Sequence, residues 1–75
     1  MPVKKLVAYH IARLQDKNRE VRLKAIAELV LLADADALEA LQSVFENDAD
    51  MEVRKAAQEA GRSIFLKRKQ QPVDS

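Results

Sequence analysis

The stretch Asp16-Lys17-Asn18-Arg19-Glu20-Val21-Arg22 returns thirty-two residues later as Asp48-Ala49-Asp50-Met51-Glu52-Val53-Arg54. The aspartate, glutamate, valine and arginine are identical, Asn18 becomes Asp50, and Ala25 to Ala57 extends the match. Self-similarity at a period of about 30 residues, carried by helical sequence, marks a stacked α-repeat in which each unit buries its face on the next. Such a chain binds through its surfaces and rarely performs chemistry.

The rest of the sequence agrees with helices. It has one glycine, two prolines and 48% hydrophobic residues, mostly alanine and leucine, without β-branched runs of period two. With 75 residues the chain makes one small domain with a modest core, and without cysteine it has no disulfide or thiolate metal site. Thirteen Lys and Arg against twelve Asp and Glu give a formal net charge of +1, with signs interspersed, and so no broad field for nucleic acid or an anionic membrane. No apolar run has the length of a signal core or a membrane span, and the expected location is the cytoplasm.

Four helices follow from the periodicity. The first, Val3 to Gln15, sets Val3, Leu6, Val7, His10, Ile11 and Leu14 at helical spacing, with Pro2 in its first turn. The second runs from Arg19 to Ala33 behind an Asn18 cap and is apolar on most sides, as suits a central helix. The third, Ala37 to Glu46, starts from a capping box of Asp36 and Glu39 and buries Leu38, Leu41, Val44 and Phe45. The fourth is capped by Asp50, turns Val53, Ala57, Ala60, Ile64 and Phe65 inward, and frays near Lys69. One domain over residues 1–69 and a disordered tail over 70–75 are expected.

The pattern D-x-[ND]-x-E-V-R-x-x-A, at Asp16 to Ala25 and Asp48 to Ala57, resembles the HEAT-like repeat family, in the short-repeat variant also seen in phycobilin lyases. The resemblance covers about Leu6 to Phe65 and implies an all-α fold, a short α-solenoid of about four antiparallel helices in helical-hairpin repeats. It also implies that Asp16, Arg22, Asp48 and Arg54 form a ladder along the inner edge of the stack. Each arginine has an aspartate six residues upstream as its nearest carboxylate. In the outer helices Leu6 matches Leu38 and Ala8 matches Ala40, while Arg13 falls opposite Phe45. In the inner helices Ile26 gives way to Gln58 and Leu29 to Gly61, so the last helix is more polar, as at a terminal position.

Other constellations have plainer readings. Asp48, Asp50 and Glu52, with Glu59 at the twelfth position, echo a calcium loop, but Val53 stands where that loop needs glycine and Ala27 replaces the glutamate in the first copy. His10, the only histidine, reads as a packing residue with no second histidine or cysteine to form a metal site. Ser43, Ser63 and Ser75 have no base at predictable reach, and one glycine makes no phosphate loop. Lys67-Arg68-Lys69, with Arg62 nearby, is a helix C-terminal cluster favoured by the dipole.

These readings converge on a non-catalytic protein–protein interaction module, an adaptor or scaffold, with no cofactor, no metal and no small-molecule substrate. Barely two repeats leave end faces without a neighbour, where about three are usual. A homo-oligomer or a larger protein partner is therefore expected to cover Leu6, Val7 and Ile11 at one end and Ile64, Phe65 and Leu66 at the other. A groove along the inner helices draws on Arg22, Lys24, Glu28, Arg54, Lys55 and Gln58. The alternative is weak nucleic-acid binding through these arginines and lysines and the C-terminal basic cluster. An accessory role beside tetrapyrrole lyases rests on family analogy alone.

Overall fold

All helices but the first begin where a side chain supplies an acceptor that the first-turn N–H groups lack. In a computed structural model that describes residues 2–70, the chain forms α1 (Val3–Arg13), α2 (Arg19–Leu32), α3 (Asp36–Asn47) and α4 (Met51–Gln70), and no strand among the described residues. Asn18 accepts the N–H of Glu20 at 2.8 Å to open α2. Asp50 accepts those of Glu52 at 2.8 Å and Val53 at 3.1 Å to open α4.

Four boundaries depart from the sequence reading. Pro2 sits one residue outside α1, and its carbonyl accepts from Lys5 and Leu6. Helix α1 ends at Arg13 because Leu14, Gln15 and Asp16 bond back three residues, tightening the last turn to 3₁₀ geometry. The Asp36–Glu39 capping box does not form. Asp34 accepts the Asp36 N–H at 2.8 Å, and the Asp36 carboxylate turns instead to Lys4. At the far end of α4, Gln70 is helical, so the helix enters the span read as tail; residues 71–75 lie outside the described residues.

Helices α1 and α2 form one antiparallel hairpin and α3 and α4 a second. The hairpins stack chiefly through α2 on α4, with a lighter contact of α1 on α3. The core between them holds Val7 and Leu14 from the first helix, Ala25, Ile26 and Leu29 from the second, Ala37, Leu41 and Val44 from the third, and Val53, Ala57, Ala60 and Ile64 from the fourth. The outer helices correspond with an offset of thirty: residues 7 and 14 bury as residues 37 and 44 do, and Ile11 packs half-buried against the core where Leu41 is buried. Leu6 is therefore not the partner of Leu38. The segment from the last core residue to the turn aspartate is shorter in the first hairpin (Leu14 to Asp16) than in the second (Val44 to Asp48).

Helix α2 is central but not covered on every side, since Leu31 is 75% exposed. Its end is also unusual. Ala33 closes it in the left-handed region at φ 50°, its N–H bonded to Leu29 O at 2.9 Å. A side chain there costs roughly 1–2 kcal/mol, which glycine escapes.

Two stability changes follow, both readable by urea unfolding. Leu29 is fully buried where the hairpins meet, so Leu29→Ala should destabilise by about 2–5 kcal/mol. Ala33→Gly should stabilise by roughly 1 kcal/mol, because only the left-handed residue gains.

Candidate functional site

The duplicated motif folds the same way twice. Asp16 Oδ1 accepts the N–H of Asn18 at 2.9 Å, and Asp48 Oδ1 that of Asp50 at 2.9 Å. The next acceptor, Asn18 or Asp50, then caps the helix. One turn into that helix an arginine reaches back over the turn: Arg22 Nη1 donates to Asp16 O at 2.9 Å and Lys17 O at 3.1 Å, and Arg54 Nη1 to Asp48 O at 2.6 Å. Aspartate and arginine thus close each turn from both sides.

The ion pair runs between hairpins and not within one. Arg22 Nε lies 2.9 Å from Asp48 Oδ2, and Nη2 is 3.3 Å from Asp48 Oδ1. The six-residue pairing expected from sequence joins the arginine to the backbone carbonyl of Asp16; the carboxylate comes from the following repeat. The Asp48 side chain is only 9% exposed, so this pair is better shielded from water than an ordinary surface bridge. Nε sits off the line of a regular hydrogen bond and makes its contact with Asp48 as a charge.

A second arginine reinforces the same edge. Arg19 Nε donates to Asp50 Oδ2 at 2.9 Å, Nη1 to Glu20 at 2.8 Å, and Nη2 to Glu52. Arg19 carries no repeat signal because the position is not repeated: Met51 stands there in the second copy, 73% exposed. The opposite edge is tied by Lys4, whose Nζ is 3.0 Å from both Asp34 and Asp36, and by Arg68 Nη1 on Ala33 O at 3.3 Å. Neither tie has a sequence signal, since each joins residues thirty or more apart outside the repeat.

The contacts set the charges. Arg19 holds the Asp50 carboxyl below its ordinary value, helped by the N–H groups of Val53 and Glu52. The Asp36 N–H, then Lys4, does the same for Asp34. Asp36 and then Asp34 raise Lys4, and Asp50 raises Arg19.

The expected interface residues divide. Val7 and Ile64 are core residues at 1% and 0% exposure, so neither is open to a partner. Leu6 and Ile11 are half-buried, Ile11 against the core, because the α1 stripe they share with Val7 packs on the rest of the fold. Phe65 and Leu66 are exposed, and the inward reading of Phe65 gives way to a place on the rim of a groove. That groove, about 300 Å³, lies between α3 and α4 and is lined by Leu38, Phe45, Gln58, Gly61, Arg62 and Phe65, among others. A second, of about 220 Å³, lies between α1 and α2 and carries Tyr9, His10, Arg13, Lys24 and Glu28.

The residues of the expected inner groove are therefore not one surface. Arg22 and Arg54 belong to the ladder, Lys24 and Glu28 to the α1–α2 groove, Gln58 to the α3–α4 groove, and Lys55 to the surface beside Met51. In the α1–α2 groove Arg13 stacks 5.3 Å over the Tyr9 ring and donates to its hydroxyl at 3.2 Å. His10 meets Tyr9 edge-on, and its buried Nδ1 has no hydrogen-bond partner among the described residues. Among the described residues no three His, Asp or Glu side chains gather to hold a metal, and Asp48 and Asp50 are engaged by arginines and backbone N–H groups. No helix there is long and apolar enough to cross a membrane.

Two stacked antiparallel hairpins, joined by one arginine–aspartate contact between the two copies of the repeated motif, define a short all-α solenoid. The family model for HEAT repeats matches residues 1–62, and the chain belongs to that family. No curated protein and no solved structure matches it.

The pH response follows from the shifted groups. Asp34 and Asp50 titrate lower folded than unfolded, so their stabilisation is present above the unfolded value of about 3.9 and lost as pH falls through the folded one. Lys4 titrates higher folded, so its share is present below about 10.4 and lost as pH rises through its folded value. Melting temperature against pH should be flat through neutrality and fall on both sides. Asp50→Asn, which keeps a capping oxygen, should soften the acid limb alone, and Lys4→Met should soften both, because it also releases Asp34.

Proposed function

We propose that this chain is a small non-catalytic protein–protein interaction module whose docking face is the groove between α3 and α4. HEAT repeats commonly mediate such interactions, and the family is typically non-catalytic. The observation that carries the reading is Phe65. It stays 56% exposed on the rim of a groove floored by Leu38, Leu41 and Ala57, where Gly61 leaves space in place of a side chain. Helix α2 fills the equivalent position with Leu29, fully buried by the next hairpin. An aromatic beside an unfilled apolar groove is the composition of an interface anchor.

Chemistry of the partner follows from the rim. Arg62 borders the groove, and Lys55 and Arg54 lie on the same helix. The fitting partner is a helical protein surface that combines side chains long enough to reach Gly61 with carboxylates for the arginines. The nucleic-acid reading loses two of its donors, because Arg19 and Arg22 are spent on carboxylates and carbonyls of the chain itself. Among the described residues no acid or nucleophile is bonded to the buried nitrogen of the lone histidine, which gives no support to a base–nucleophile pair. A cysteine-free chain gains nothing from an oxidising compartment, and the cytoplasm is its place in this reading.

Site-specific photocrosslinking tests it. A crosslinker at Gln58 should trap protein partners, one at the exposed Leu31 should not, and Phe65→Asp should abolish the Gln58 products while leaving the helical circular dichroism unchanged. Equal trapping at both positions, or products indifferent to Phe65→Asp, contradicts the reading.

A further inference from the structure

The Arg22–Asp48 contact has two leftover halves. Arg54 occupies in α4 the position of Arg22 in α2 and makes the same bond to the turn carbonyl behind it, but no carboxylate reaches it among the described residues. Asp16 occupies the position of Asp48 and makes the same bond to the N–H two residues on, but among the described residues no arginine side chain reaches its carboxylate. We propose that copies of this chain associate head to tail, the α1–α2 face of one copy seating on the α3–α4 groove of another and Asp16 pairing with Arg54 across the joint. This rests on the interaction-module reading and names its partner.

Helix order supports the joint. The chain runs outer, inner, outer, inner, so a second copy following α4 presents an outer helix next, as α3 follows α2. The interhairpin contact is then repeated between molecules.

Burial identifies the surfaces that meet, by comparing equivalent positions of α2 and α4. Ile26 and Leu29 are buried, whereas their counterparts Gln58 and Gly61 are exposed and half-exposed; these positions face the following hairpin. Ala60 is buried and Ala56 half-buried, whereas Glu28 is half-exposed and Lys24 exposed; these face the preceding one. Within the molecule, large side chains on α2 (Ile26, Leu29) thus meet small ones on α4 (Ala56, Ala60). At the open ends the sizes are exchanged. The forward face has Gly61, and the rear face has Lys24 and Glu28. Volume removed from one side is restored on the other, so the joint keeps the spacing of the internal one.

Charge is exchanged with it. Val30 becomes Arg62 on the forward face, opposite the rear face that carries Glu28. The joint between copies therefore gains an acid–base pair, Arg62 with Glu28, beside the ladder pair of Arg54 with Asp16. A Cβ at Gly61 would meet nothing within 4 Å, so the space there is open to an incoming side chain and not required by the fold. The association is heterologous, since two different faces meet, and it extends into rings or filaments and does not stop at two.

Sedimentation equilibrium from micromolar to millimolar concentration tests this. The average mass should climb past that of a dimer as concentration rises. Arg54→Glu and Asp16→Arg should each lower assembly at least tenfold in concentration, and their mixture should recover it, which only folded chains can do. Gly61→Leu, which fills the groove without touching the ladder, should weaken assembly as well. A monomer throughout the range, a dimer at saturation, or assembly indifferent to both charge variants overturns the proposal. Photocrosslinks at Gln58 separate the outcomes: products with a different protein leave the interaction-module reading standing, and the absence of any product removes both.

Discussion

One guanidinium links the two halves of this molecule. Arg22 closes the turn behind it through the carbonyls of Asp16 and Lys17, and it crosses to the Asp48 carboxylate of the next hairpin. A hydrophobic core built largely of alanine, valine, leucine and isoleucine does not by itself choose one sliding position of α2 on α4. A charge held at two points does, because a shifted hairpin would leave Arg22 and Asp48 partly desolvated and unpaired. The turn bonds of Asp16 and Asp48 orient the acceptors first, so the pair forms between preorganised groups.

Local signals were legible where one residue type serves one local need. Asn18 and Asp50 were readable as caps, and the duplicated motif gave the period and the all-α repeat. Relations between hairpins were not legible. Sequence distance pointed from Arg22 to the Asp16 carboxylate, but the side chain spans its own turn to reach the carbonyl and so delivers its charge to Asp48. Arg19 and Lys4 fall outside the repeat and carry no period to expose them. Asp36 looked like a cap because its spacing to Glu39 is right. Asp34, two residues earlier, satisfies the N–H first, and Lys4 takes the remaining carboxylate.

The binding surfaces show the same limit. Val7 on α1 and Ile64 and Phe65 on α4 all read as apolar end-face residues in the sequence, yet the first two are core and Phe65 is exposed, because the apolar side of α4 is broader than its contact and leaves one edge in water. Lys24, Glu28 and Gln58 looked like one polar groove; the stacking assigns the first two to the α1–α2 groove and Gln58 to the α3–α4 groove. What the sequence showed as a loss of hydrophobicity in the last helix becomes, once the faces are known, a specific replacement of Ile26 by Gln58 and of Leu29 by Gly61 on the forward face. Interaction through the ends of the stack is the function proposed for this pattern.

The central claim is that the contact between Arg22 and Asp48 couples the hairpins. A double-mutant cycle of Arg22→Met and Asp48→Asn measures it, since asparagine keeps the oxygen that accepts the Asp50 N–H while removing the charge. Urea unfolding of the four proteins should give a coupling energy of about 1 kcal/mol or more, as for directly interacting charged groups in one network. Additivity within roughly 0.3–0.5 kcal/mol, the behaviour of independent sites, would show that the core alone sets the stacking and would contradict the account.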